Sequence, residues 1–163
     1  MNGSAAIATG ATLFFAFTFA LSAQEKIEEK ISDGVVKIGM IEDMSSIYAD
    51  ITGIGAVTAA KMAVEDFGGK VLGKPVEVVS ADHQNKADIA AATAREWFDT
   101  GHVDALMDVA ASATALAAID VAKTKNKIAV LNGPGSARIT NEACTPVSIC
   151  LLYTSPSPRD RQK

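Results

Sequence analysis

Side chains able to do chemistry are sparse in this chain, and their spacing limits what they can do. Its 163 residues include two histidines and two cysteines. A nucleophilic site needs a Ser or Cys beside a general base and a third group that orients the base. Here His83 and His102 are the only imidazoles, and no GxSxG elbow is present. A zinc site needs three or four His or Cys ligands at close spacing, whereas His83, His102, Cys144 and Cys150 are scattered. The glycine pairs Gly53/Gly55 and Gly133/Gly135 lack the third glycine of GxGxxG, and no P-loop occurs. His83, in a polar loop, is expected to be a solvated surface residue. His102, just before a strand, is expected to be structural. No catalytic constellation emerges, so neither enzymatic activity nor a cofactor or metal is expected. One set of acids remains: Glu42-Asp43 after one apolar run and Asp108 at the end of another. Three carboxylates of this kind can hold Mg²⁺.

The elements that carry these residues alternate between strand and helix. Val35 to Ile41 (VVKIGMI) is short, apolar and β-branched, as a strand covered on both faces is. A polar loop, Met44 to Thr52, leads through Gly53 and Gly55 to a helix. Val57, Ala60, Val64 and Phe67 share one face of it at spacings of three and four, and Gly68-Gly69 ends it. KVLGKP (70–75) reads as a turn, and Pro75 to Ala81 as the second strand. Asn85 is the expected cap of helix 86–99, with Ile89, Thr93 and Trp97 on its inward stripe and Phe98 flanking. Val103 to Val109 is the third strand. Ser112 or Thr114 is expected to cap a third helix running to about Lys123, and Ile128 to Leu131 is the fourth strand. The expected fold is therefore α/β: a three-layer parallel sheet with helices on both faces and right-handed crossovers.

A parallel sheet brings the loops after its strands to one edge, where helix N-termini favour an anion. Those loops are Asp43 to Thr52, Asp82 to Lys86, Ala110 to Thr114 and Asn132 to Ser136. A small carboxylate suits such an edge. Ser112 and Thr114 can serve as helix caps, as ligands, or as both. Gly133 and Gly135 can turn the chain or let a ligand approach the backbone.

DMSSIYAD, the helix ending AVEDFGG, and VLGKPVEVVSADHQNKAD together resemble the amino-terminal lobe of type I periplasmic substrate-binding proteins. These are the branched-chain amino-acid (Leu/Ile/Val-binding) class that feeds ABC importers, and the resemblance runs from about Val35 to about Ile149. It implies the first, incomplete lobe of a two-lobed extracytoplasmic protein. Such a protein binds an amino acid or a similar carboxylate or amide and delivers it to permease subunits in the membrane. It also implies that the carboxylate is held by backbone amides and small hydroxyls at Ser112, Thr114, Gly133, Gly135 and Ser136, with Tyr48 bordering the ligand. Ala110 and Ala111 depart from the family pattern, in which that loop can carry more hydrogen-bonding groups.

The ends of the chain look different from its body. Ala11 to Leu21 is an apolar run with small residues, Ser22-Ala23, after it. Residues 1–23 are therefore expected to be a signal peptide for export to the periplasm, although no Lys or Arg precedes the run. Residues 24–149 form the expected truncated lobe. Residues 150–163, CLLYTSPSPRDRQK, resemble translated vector sequence and are expected to be a non-native or disordered tail. A net charge of −4 without a basic stripe argues against nucleic acid as a partner. The alternative to a solute-binding lobe is a receiver-type phosphoacceptor domain using Glu42, Asp43 and Asp108 around Mg²⁺. Cys144 and Cys150 give no firm basis for a disulfide.

Overall fold

In the computed structural model, which describes residues 33–154, strand β1 (Val36–Glu42) lies at the centre of the sheet. It is paired in parallel with β3 (Lys74–Asp82) on one side and β4 (Ala105–Met107) on the other. Both edges being occupied, its last four residues are buried, which is why the sequence there is apolar up to the acidic pair. The expected signal peptide and most of the expected tail lie outside the described residues.

The remaining elements are α1 (Gly53–Asp66), β2 (Lys70–Val71), α2 (Ala87–Asp99), α3 (Ser112–Lys125), β5 (Ile128–Leu131), a 3-10 turn (Ala137–Ile139), β6 (Ser148–Cys150) and α4 (Leu151–Thr154). The sheet order is β2-β3-β1-β4-β5-β6. Every pairing is parallel except β2–β3, which is antiparallel. The segment expected as a plain turn thus adds a short hairpin. Leu72 (φ 49°) and Gly73 (φ 78°) both take the left-handed conformation of a two-residue turn whose twist matches that of the strands.

The chain moves from β1 outward to β3, then back past β1 to β4 and onward to β5. With right-handed crossovers, that reversal puts α1 on one face of the sheet and α2 and α3 on the other. The α2/α3 face carries the main core, in which Ile41, Leu106, Ala129 and Leu131 from the strands meet Ala90, Ala94, Ala115, Ala118, Ile119 and Ala122. Alanines let these helices approach the sheet closely. Trp97 packs against β1, where a Cβ on Gly39 would fall 2.6 Å from its ring.

Helix α1 is less covered: only Gly53 and Val57 are buried, and Ala60 and Val64 are half-buried. Phe67, expected on its inward face, is 72% exposed. It is the C-cap residue, and Gly68 and Gly69, both at positive φ, swing the chain towards β2. The cap assignments also shift. Asn85 sits in a left-handed turn (φ 53°) and Lys86 takes the N-cap of α2. Ala111 takes that of α3, with Ser112 as the first helical residue. Strand β6 runs through Cys150, which is buried, one residue beyond the expected end of the lobe.

Candidate functional site

Where the strand order reverses, the loop after β1 leaves on one face and the loop after β4 on the other, opening a crevice between them. That crevice is a cavity of about 400 Å³, within the range of small-molecule sites. Tyr48, Ile51 and Thr52 line it from the β1 loop. Asp108, Ala110, Ala111 and Ser112 line it from the β4 loop, and Asn132, Gly133 and Gly135 from the β5 loop.

The β1 loop is held in shape by two aspartates. Asp43 accepts hydrogen bonds from the Ser46 N–H (2.8 Å), the Tyr48 N–H (3.0 Å) and the Ser46 hydroxyl. Asp82, at the end of β3, accepts from the Met44 N–H (3.0 Å), the Gln84 N–H (2.8 Å) and the Ser45 hydroxyl. Burial works to raise both pKa values, but these donors outweigh it and hold both carboxyls below their usual range. Gly53 completes the loop at φ +53°, where a Cβ would sit 2.9 Å from the Asp43 carbonyl oxygen.

His83, expected at the surface, is fully buried. Its Nδ1 accepts the Asn85 N–H at 2.9 Å, and its Nε2 lies 3.3 Å from the Thr114 hydroxyl oxygen. That hydroxyl donates to the Ala111 carbonyl at 2.8 Å, so the proton between them sits on Nε2. Burial lowers the His83 pKa, against the opposing pull of Asp43 and Asp82. The ring is therefore a neutral bolt between the β3–α2 loop and the first turn of α3. His102 is exposed, with Nδ1 3.0 Å from the Asp33 carboxylate.

Four of the six expected site residues line the cavity: Tyr48, Ser112, Gly133 and Gly135. Thr114 does not; its side chain is buried within α3 and spent on His83 and Ala111. Ser136 lies one residue beyond the lining, half-buried at the start of the 3-10 turn. Gly133 is fixed by close approach, since a Cβ there would lie 3.1 Å from Ala110 Cβ; a Cβ on Gly135 would meet open space. The alanine at 110 thus makes room for the β5 loop. Ile51 and Asn132 are not among the expected site residues; only the fold of the long β1 loop brings Ile51, with Thr52, to the crevice. At Ala111-Ser112 the N-terminus of α3 opens on the cavity, with N–H groups that have no partner inside the helix.

The three acids of the phosphoacceptor alternative do not act together. Asp43 is consumed by its loop, and no cluster of three or more His, Cys, Asp or Glu suited to a metal occurs among the described residues. Glu42 is fully buried, with Oε1 accepting the Val109 N–H at 3.2 Å. Burial, reinforced by the nearby charge of Asp108, pushes its pKa up to about 8. Burial raises that of Asp108 as well.

A family model described as "Periplasmic binding protein" matches residues 35–158. Among solved structures, a periplasmic binding protein from Burkholderia mallei is 58% identical, with a TM-score of 0.69 over 71% of this chain and 31% of that one. A branched-chain amino-acid ABC transporter periplasmic ligand-binding protein from Burkholderia xenovorans is 47% identical, with a TM-score of 0.66 over 69% of this chain and 30% of that one. At 24% identity, a solute-binding protein from Rhodopseudomonas palustris in complex with 3,4-dihydroxybenzoic acid shares the fold, with a TM-score of 0.65 over 72% of this chain and 32% of that one. The chain spans about a third of the length of these structures. No curated protein matches it.

Proposed function

Because this chain belongs to the periplasmic binding protein family, we propose that it forms the first lobe of the extracytoplasmic solute-binding component of an ABC importer. The solute is a small acid, an amino acid or an aromatic carboxylate, handed to membrane permease subunits without chemical change. Export by an N-terminal signal peptide accords with that role. The observation that carries the proposal is the cavity at the strand-order reversal, with the N-terminus of α3 in its wall.

In this scheme the solute's carboxylate takes the Ser112 hydroxyl and the first N–H groups of α3. Gly133 and Gly135 let it approach the β5 loop, and Tyr48 covers it from the β1 side. Thr114 supports the site through His83, and Ser136 borders it. The cavity is open on its far side, where the second lobe of such a protein would close. The test is a thermal-shift screen of the full-length protein that the gene encodes against amino acids and benzoates. Binding at 100 times Kd adds about 2.7 kcal/mol, so a cognate acid raises the midpoint by several degrees. A flat response across both classes would remove the small-acid assignment.

A further inference from the structure

The cavity has an acidic pole as well as an anion-binding one. Asp108 lines it, half-buried, and no hydrogen bond reaches its carboxyl among the described residues. Beside it, Glu42 is fully buried with Oε2 unpartnered. Buried polar groups are almost always satisfied, so the unpartnered Glu42 oxygen near an Asp108 carboxyl that faces the cavity needs an explanation.

The backbone around Asp108 is also unusual. Asp108 (φ 74°) and Val109 (φ 50°) both adopt the left-handed conformation, which a β-branched residue rarely takes. The turn is held open from both sides, by the Asp108 N–H donating to the Val130 carbonyl at 2.8 Å and the Val109 N–H donating to Glu42 at 3.2 Å. Strain of this kind persists where surrounding contacts impose it, and it clusters at ligand sites.

We propose that Asp108 contacts the solute and determines specificity, accepting a hydrogen bond from a donor on the acid, while Glu42 acts as a positioning residue that holds the strained turn. This goes beyond the solute-binding role proposed above and rests on it. A solute carrying an ammonium or hydroxyl group as well as a carboxylate satisfies both poles at once, the carboxylate at α3 and the donor at Asp108. A bare acid leaves the Asp108 carboxyl desolvated and unpaired in a closing cleft, which disfavours it.

The experiment measures Kd on the full-length protein for two matched pairs: isoleucine against 3-methylpentanoate, and 3,4-dihydroxybenzoate against benzoate. Within the pair that binds, the donor-bearing acid is expected to bind about tenfold to a hundredfold tighter, the range for a hydrogen bond to a charged group. The first pair winning identifies an ammonium as the donor, the second a hydroxyl. Asp108→Asn is expected to collapse that ratio, by weakening the donor-bearing acid and relieving the unpaired charge that disfavours the stripped one. Glu42→Gln keeps an oxygen for the Val109 N–H and should retain the ratio. Glu42→Met removes the oxygen at similar bulk and should lower it, a change in selectivity that general loosening of the fold would not produce. Acids that bind without discrimination, or a ratio unchanged in Asp108→Asn, overturn the role of Asp108. A ratio unchanged in Glu42→Met overturns that of Glu42. If none of the four acids binds, the solute class proposed above fails with it.

Discussion

Glu42 makes the stability of this protein depend on pH in an unusual direction. In the unfolded chain its carboxyl ionises at 4.5; in the folded protein burial, aided by the Asp108 charge, holds it protonated until about pH 8. Between those values the folded state keeps a proton that the unfolded state releases, so stability is full below pH 4.5 and falls as pH rises through 8. At 1.36 kcal/mol for each pH unit between the two values, the loss is roughly 3 kcal/mol at pH 7 and approaches about 5 kcal/mol above pH 8. That is comparable to the whole stability of many domains. Glu42→Gln removes the ionisation and keeps the shape. Denaturant unfolding of the full-length protein at pH 6.5, 7.5 and 8.5, for wild type and Glu42→Gln, reads the effect directly. The wild type should lose on the order of 2 kcal/mol relative to the variant across that range. Parallel curves for the two proteins would refute the account of Glu42 as a buried, protonated carboxyl.

His83 works on the opposite limb. Its pKa is depressed, so its contribution is present above pH 6.5 and is lost as pH falls through its folded value. His83→Gln should flatten that acid limb in thermal melts between pH 4 and 7, while costing about 1–3 kcal/mol at pH 7 for the altered bonds to Asn85 and Thr114. Gly39→Ala drives a methyl into the Trp97 ring and is expected to cost about 1–3 kcal/mol. The change in emission of Trp97, the single tryptophan, reports whether the ring has moved.

Much of this fold was legible because local signals agreed with the tertiary arrangement. The β-branched runs at Val36, Val76 and Ile128 fall in strands, and the loops between strand ends and helices converge on one edge. The failures have two causes, a partner distant in sequence for His83 and local backbone geometry for Phe67 and Asn85. His83 looks solvated among Asp82, Gln84 and Asn85 because its burying partner, Thr114, lies 31 residues on. Phe67 keeps the helical spacing of an inward residue, but the two glycines after it redirect the chain and leave it in solvent. Asn85 has good capping chemistry, yet the turn around His83 uses it at positive φ and Lys86 becomes the cap. Asp108 was visible as an acid at a strand end. What the sequence did not reveal is that Asp43 faces its own loop, which leaves Asp108 as the acid at the cavity, with Glu42 buried near it.

The crevice between β1 and β4 is the proposed seat of a small acid, held at the N-terminus of α3. Calorimetric titration of the full-length protein, with the acid that raises its melting midpoint most, tests this directly when repeated on Ser112→Val. One site per chain is expected in the wild type, and a loss of about tenfold in affinity when the Ser112 hydroxyl is removed. No binding heat from any amino acid or benzoate, together with Mg²⁺-dependent phosphoryl uptake at Asp108 from acetyl phosphate, would contradict it.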